Sequence, residues 1–150
     1  MSFAHEQYEL PSFERSEPKP EPQPKDEWVQ KFLDEGHLDA ADCLVYVASP
    51  CRAPTKEGHL INLDYAREAL KDAVVTRGEV AVAPHLLYTQ ILDDMIPSEA
   101  AVGMRIGLRL LTQCDILAVY QDRGISEGMK REIELARFFG IEVVYRNLYN

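Results

Sequence analysis

From residue 42 onward, short apolar runs alternate with longer stretches of helical period. Few folds accommodate that alternation: it is the pattern of a parallel sheet covered by helices, an α/β class. Leu44-Val45-Tyr46-Val47-Ala48 reads as a buried first strand, followed by Val80-Ala81-Val82-Ala83, Ile116-Leu117-Ala118-Val119-Tyr120 and Ile141-Glu142-Val143-Val144-Tyr145. Between the first two, Leu63, Ala66, Leu70, Ala73 and Val74 fall on one side of a helix over residues 62–76, closed by Gly78. Between the second and third, residues 99–113 form a helix whose apolar arc takes in Val102, Met104, Ile106, Leu108, Leu110 and Leu111. That arc exceeds half the circumference, so the helix needs a second neighbour. A symmetry mate supplies one in a small domain, and a homodimer through this element is predicted, with Gly103 and Gly107 allowing close approach.

Ahead of the alternation, residues 1–25 hold five of the nine prolines, with Pro18, Pro20, Pro22 and Pro24 interleaved with Lys19, Glu21, Gln23 and Lys25. Such a stretch cannot bury enough apolar area to offset its ordering entropy, and it reads as a disordered, acidic, Pro-rich arm. It serves either as a solvated tether or as a polyproline II segment for a partner. Residues 26–41 read as a docking helix and linker, since Trp28, Val29, Phe32 and Leu33 recur at helical spacing before Gly36. Residues 42–150 form the domain proper.

Sixteen Lys and Arg face 25 Asp and Glu, a net charge of -9, which disfavours duplex nucleic acid and anionic lipid as partners. No apolar run reaches the roughly 18–20 residues of a membrane span, and MSFAHEQYEL lacks the basic and apolar regions of a secretory signal, so a cytoplasmic location is expected. Cys43, Cys51 and Cys114 are odd in number with no C-x-x-C spacing. Reduced, mostly buried thiols are expected, with no disulfide framework, zinc cluster or other metal site, and no cofactor.

Ligands of open parallel sheets bind outside the carboxyl ends of the strands. Here the first strand runs into Ser49-Pro50-Cys51-Arg52, the second into Pro84-His85, and the third into a loop from Gln121 to Gly128. Hydroxyls, two arginines, an imidazole and glycines suit a phosphorylated or sugar-bearing ligand. Neither G-x-G-x-x-G nor G-x-x-x-x-G-K-[ST] occurs, which removes the local support for ordinary NAD binding and NTP hydrolysis.

Glu132 is the sharpest signal. With Ser126 as N-cap, a helical wheel groups Met129, Ile133, Ala136, Phe139 and Gly140 in one arc, and Glu132 falls inside it, whereas Lys130, Arg131, Glu134 and Arg137 fall outside on a solvated face. A carboxylate among core positions must be neutralised, paired or used. Its partner would be Arg105, Arg109 or a tyrosine hydroxyl; alternatively it faces a ligand, through a passage left by Gly128 one turn earlier. Ser49 is either a turn residue or a donor to an anion, Arg52 either a clamp or a solvated loop residue, and His85 either a structural or a ligand-facing imidazole. Of Asp93 and Asp94, one caps the following helix and the other faces the cleft. Asp115, at the opposite end of its strand, is structural.

Over about residues 42–146 the chain resembles the nucleoside 2-deoxyribosyltransferase-like superfamily. The resemblance rests on LVYVASPCR, VAVAPH, LLTQCDILAVY and ISEGMKREIELA followed by GIEVV. The superfamily's G-x-x-x-E-[IL]-x-x-A segment carries its catalytic glutamate, and Gly128 to Ala136 matches it, with Glu132 in that place. The resemblance implies that Glu132 attacks the anomeric carbon of a nucleoside or deoxynucleotide, in the manner of a retaining glycosidase. It also implies that Ser49 and Arg52 form the first-loop ligand position and that Ser126 with the helix amino terminus suits a 5'-phosphate. Enzymes of the superfamily usually carry an aspartate where this chain has Gly107; Asp94 and Asp122 are the candidates to replace it. The resulting expectation is a small Rossmann-like, flavodoxin-type dimer that binds a nucleoside or nucleotide and cleaves or transfers at an N-glycosidic bond. The alternative is a non-catalytic nucleotide-binding module whose arm recruits another protein.

Overall fold

A computed structural model describes residues 27–36 and 42–149; the Pro-rich arm and the linker residues 37–41 lie outside the described residues. The chain divides into two compact units, residues 1–39 and 40–150. In the first, the expected amphipathic helix is present as α1 (Glu27–Asp34), with the Trp28 and Phe32 rings edge to face at 6.4 Å.

The second unit runs β1 (Leu44–Ala48), α2 (Lys56–Lys71), a π-helical turn (Asp72–Thr76), β2 (Val80–Val82), α3 (Pro84–Tyr88), α4 (Pro97–Leu111), β3 (Ile116–Tyr120), α5 (Glu127–Phe138) and β4 (Glu142–Arg146). The four strands form one sheet in the order β2-β1-β3-β4, every pair parallel. The predicted α/β fold is therefore present, and the strand order is that of the flavodoxin-type arrangement without its last strand. β1 and β3 are adjacent but lead their connections in opposite directions, and the carboxyl ends of such a pair are where ligands of open α/β sheets bind.

Alternation along the central strands divides the core. Tyr46, Ala48, Leu117 and Val119 pack with Leu111 of α4 and with Met129, Ile133 and Ala136 of α5. Val45, Val47, Ala118 and Tyr120 point to the other face, against Tyr65 and Ala69 of α2 and Ala73 of the π-helical turn. On that second face Arg146 makes two 2.7 Å contacts to Glu79.

Several element limits differ from the sequence expectations. β2 ends at Val82 because Ala83 is the N-cap of a helix that starts at Pro84, whose nitrogen has no hydrogen to give to the ladder, so His85 lies in the first turn of α3 and not at a strand end. As the edge strand, β2 leaves Val80 and Val82 exposed. β4 is one residue later than expected. The helix predicted over residues 62–76 begins at Lys56, where the Thr55 side chain caps Gly58 N at 3.0 Å, and its final turn widens to a π geometry before Gly78 at φ +67°. Val74 is exposed in that wider turn.

The helix predicted over residues 99–113 is α4, and its inward residues are Ala100, Gly107 and Leu111. Met104, Ile106 and Leu108 are half-buried, and Val102 and Leu110 exposed. In α5, Met129, Ile133 and Ala136 are buried as expected, but Phe139 and Gly140 are exposed because the helix has already ended and Gly140 turns the chain at φ +69°. Among the described residues no helix is long and apolar enough to cross a membrane.

Candidate functional site

Glu132 points inward. Its residue as a whole is partly buried, but protein crowds the carboxyl group, and Oε1 accepts a 2.8 Å hydrogen bond from the Tyr46 hydroxyl of β1. Of the partners open to it from sequence, the tyrosine is the one found; Arg105 and Arg109 are exposed. Burial pushes the Glu132 carboxyl up to about 7, opposed by the Tyr46 hydrogen bond. Burial first, and then the Glu132 charge, also hold the Tyr46 hydroxyl well above its ordinary range. At neutral pH this carboxyl is poised between its two forms.

Gly107 makes the pair possible. A Cβ at this buried position would stand 3.0 Å from the Tyr46 hydroxyl oxygen, so the tyrosine occupies the space that a side chain at 107 would need. Gly128 does not leave the open passage expected of it, because the Met104 methyl lies 3.3 Å from where its Cβ would stand.

A second cluster surrounds the loop after β1. Ser49, 6% exposed, shares a 2.9 Å hydrogen bond with His85 Nε2. Burial lowers the His85 imidazole to about 4, against the pull of the nearby Asp94 charge, so it is neutral at physiological pH. Cys51 Sγ lies 3.5 Å from Asp94 Oδ2, and burial, then the Asp94 charge and hydrogen bond, push its thiol up to about 12. The Glu132 charge adds to that shift, so the Tyr46–Glu132 pair and the β1 loop act on each other electrostatically. His59 Nδ1 meets the Cys51 carbonyl at 2.9 Å, and Asn62 Nδ2 donates to the carbonyls of Cys51 and Arg52 at 3.3 and 3.2 Å. These bonds tie the β1 loop to α2. The Arg52 side chain is exposed.

Neither Asp93 nor Asp94 caps α4, whose N-cap is Ile96 with no side-chain cap hydrogen bond; Asp93 accepts from Met95 N at 2.9 Å in the preceding turn, and Asp94 is the one that faces the cluster. Asp122 does not join Glu132. It accepts Tyr65 Oη at 2.5 Å and the backbone N–H groups of Leu148 and Tyr149 at 2.8 and 3.0 Å, on the α2 side of the sheet. Burial alone would raise its carboxyl, but those donors pull it below the ordinary range. Asp122 is thus a carboxylate held by structural partners. Ser126 caps α5, accepting from Met129 N at 3.3 Å. Asp115 is structural as expected, accepting from Leu44 N at 2.8 Å at the far end of the sheet. The expectation for the thiols holds for buried Cys114 and half-buried Cys51 and fails for Cys43, which is exposed.

Two open hollows lie elsewhere. One of about 380 Å³ is apolar and follows the β2 edge between Val82, Pro84, Leu87 and Leu110. The other, about 240 Å³, lies between α5 and β4, beside Lys130, Arg137 and Tyr145. Glu132 lines neither.

Residues 43–146, more than half of the chain and all four strands, match the family described as a domain of unknown function, DUF7768. The chain belongs to the DUF7768 family. No curated protein and no solved structure matches it. The DUF7768 match spans Tyr46, Gly107 and Glu132, together with Ser49, Cys51, His59, His85 and Asp94, so both clusters belong to the domain and not to the arm.

Sequence reasoning passed over Tyr46 and His59. Tyr46 sits in an apolar run where a tyrosine looks like any other core residue, and only its facing Glu132 marks it. His59 lies in the polar first turns of α2, and its neighbours Cys51 and Asp94 come from other segments.

Proposed function

We propose that the chain binds a nucleoside or nucleotide outside the carboxyl ends of β1 and β3 and cleaves or transfers at its N-glycosidic bond, with Glu132 as nucleophile. The observation that carries this reading is the inward Glu132 carboxyl held by a tyrosine hydroxyl in place of an arginine. A guanidinium would fix the carboxylate as a compensated charge, whereas a hydroxyl orients it and leaves its negative charge for an electron-poor centre. In the reaction a Glu132 oxygen bonds to the anomeric carbon, and the bond from that carbon to the base nitrogen breaks. Its electron pair leaves with the base, which takes up a proton, and water or a second base then displaces Glu132. The resemblance of Gly128 to Ala136 to the glutamate segment of the nucleoside 2-deoxyribosyltransferase-like superfamily supports the same assignment. Ser49 and His85, and the helix amino terminus at Ser126, are the groups to meet sugar hydroxyls or a phosphate.

A second reading is favoured by Gly107: the Tyr46 hydroxyl stands where the superfamily's enzymes usually carry a second carboxylate. A module lacking that group binds the ligand without turnover, its Glu132 hydrogen-bonding ribose hydroxyls. Incubation with nucleosides, deoxynucleotides and NAD, followed by chromatography for free base, separates the two. Base released by the wild type and not by Glu132→Gln supports catalysis. Thermal stabilisation without base release supports binding alone, and the absence of both overturns both readings. The exposed Val102 and Leu110 of α4 support self-association as a homodimer through this helix.

A further inference from the structure

We propose that Cys51, His59 and Asp94 form a zinc site at the carboxyl end of β1, with three protein ligands and a fourth position left to water or a bound molecule. The three side chains come from the β1 loop, from α2 and from the segment before α4, yet their ligand atoms all lie within 4.8 Å of one another. Three separate elements thus converge on one point, where each side chain is half-buried.

The spacing fits a tetrahedral ion. Zn–S of about 2.3 Å and Zn–O of about 2.1 Å at a tetrahedral angle set S and O roughly 3.6 Å apart. Cys51 Sγ and Asp94 Oδ2 are 3.5 Å apart. The donor set of thiolate, imidazole and carboxylate is one that zinc accepts, and three protein ligands with an open fourth position is the arrangement of reactive zinc centres. The outer contacts also fit. A neutral imidazole donating Nδ1–H to a carbonyl keeps its lone pair on Nε2, the tautomer fixed in metal-binding histidines by such a bond, and His59 has the Cys51 carbonyl at 2.9 Å from Nδ1.

The charges of the donor set also balance. Binding would release one thiol proton to solvent, and the thiolate and the Asp94 carboxylate together offset the ion's two charges. The site does not rest on the glycosidic reading of Glu132.

Cobalt(II) is the probe. The full chain, stripped with a chelator, is expected to bind one Co²⁺ and to show a thiolate-to-cobalt charge-transfer band, which Zn²⁺ abolishes by displacement. The band should persist in Cys43→Ser and Cys114→Ser and vanish in Cys51→Ser. His59→Ala and Asp94→Asn should each weaken cobalt affinity by more than the roughly 10-fold lost with an outer-shell partner. Absence of the band at saturating cobalt overturns the proposal, as does its survival in Cys51→Ser. Should Cys51→Ser lose its far-UV circular dichroism, His59→Ala decides in its place, and unchanged cobalt affinity there overturns the site.

Discussion

The Tyr46 hydroxyl reaches Glu132 Oε1 at 2.8 Å across the ground that a side chain at residue 107 would occupy. Two positions far apart in sequence are therefore coupled through one oxygen atom. Alanine is the better helix former by about 1 kcal/mol, yet Gly107→Ala should be destabilising, because Tyr46 is fully packed and cannot move aside. In a Tyr46→Phe background the oxygen is gone, and the same substitution should become neutral or stabilising. Urea denaturation of the four proteins of this cycle checks it. Equal costs in both backgrounds would refute the coupling.

The pH dependence of stability has two opposed parts. Glu132, raised to about 7 from an ordinary 4.5, favours the folded state while protonated, so its contribution is complete below about 4.5 and is lost as pH rises through about 7. His85, lowered to about 4 from 6.5, contributes in its neutral form above about 6.5, and that is lost as pH falls through about 4. Over the shared window, unfolding releases a proton from one group and takes one up at the other, so the wild-type slopes offset each other. Relative to wild type, Glu132→Gln should lose stability toward acid over that window, and His85→Gln should lose it toward neutral pH. Denaturation midpoints at a series of pH values test both signs.

Asp122 gathers three donors from α2 and the carboxyl-terminal segment. Asp122→Ala should cost about 1–3 kcal/mol and speed hydrogen exchange at Leu148 and Tyr149, since their N–H groups lose a charged acceptor. Ligand-induced thermal stabilisation should survive. Its loss would return Asp122 to the ligand site.

The proposed homodimer would rest on the exposed apolar residues of α4. Leu110 lies on that helix beside the β2 edge, where a charge should be tolerated by the fold but not by a second copy. Light scattering should give twice the chain mass for the wild type and a single chain for Leu110→Glu. A wild-type monomer, or an unaltered dimer in the variant, would exclude this face.

β1 and β3 were legible to the residue because both are covered on both sides, and a doubly covered strand is an uninterrupted apolar run. The edge strands were less so. β2 is cut short by the turn into Pro84, and β4, EVVYR, carries a charge at each end that blurs its limits. The first turns of α2, Lys56-Glu57-Gly58-His59, hold no apolar stripe, and only the Thr55 cap marks them. Glu132 could be found because helical period alone sets a charge among core positions. Its partner could not, since the pairing of residue 46 with residue 132 is decided by which face of the sheet α5 covers. The Cys51, His59 and Asp94 cluster is likewise a product of tertiary closure, with no local spacing to announce it.

β3 is hydrogen-bonded to both β1 and β4. During synthesis, therefore, the first 115 residues can offer only the β1–β2 pair, and the middle of the sheet waits for a strand made late. Every pairing joins segments distant in the chain, with no hairpin to start from, so this architecture implies slow, late folding in which the segment ahead of β3 holds its apolar strand surfaces exposed.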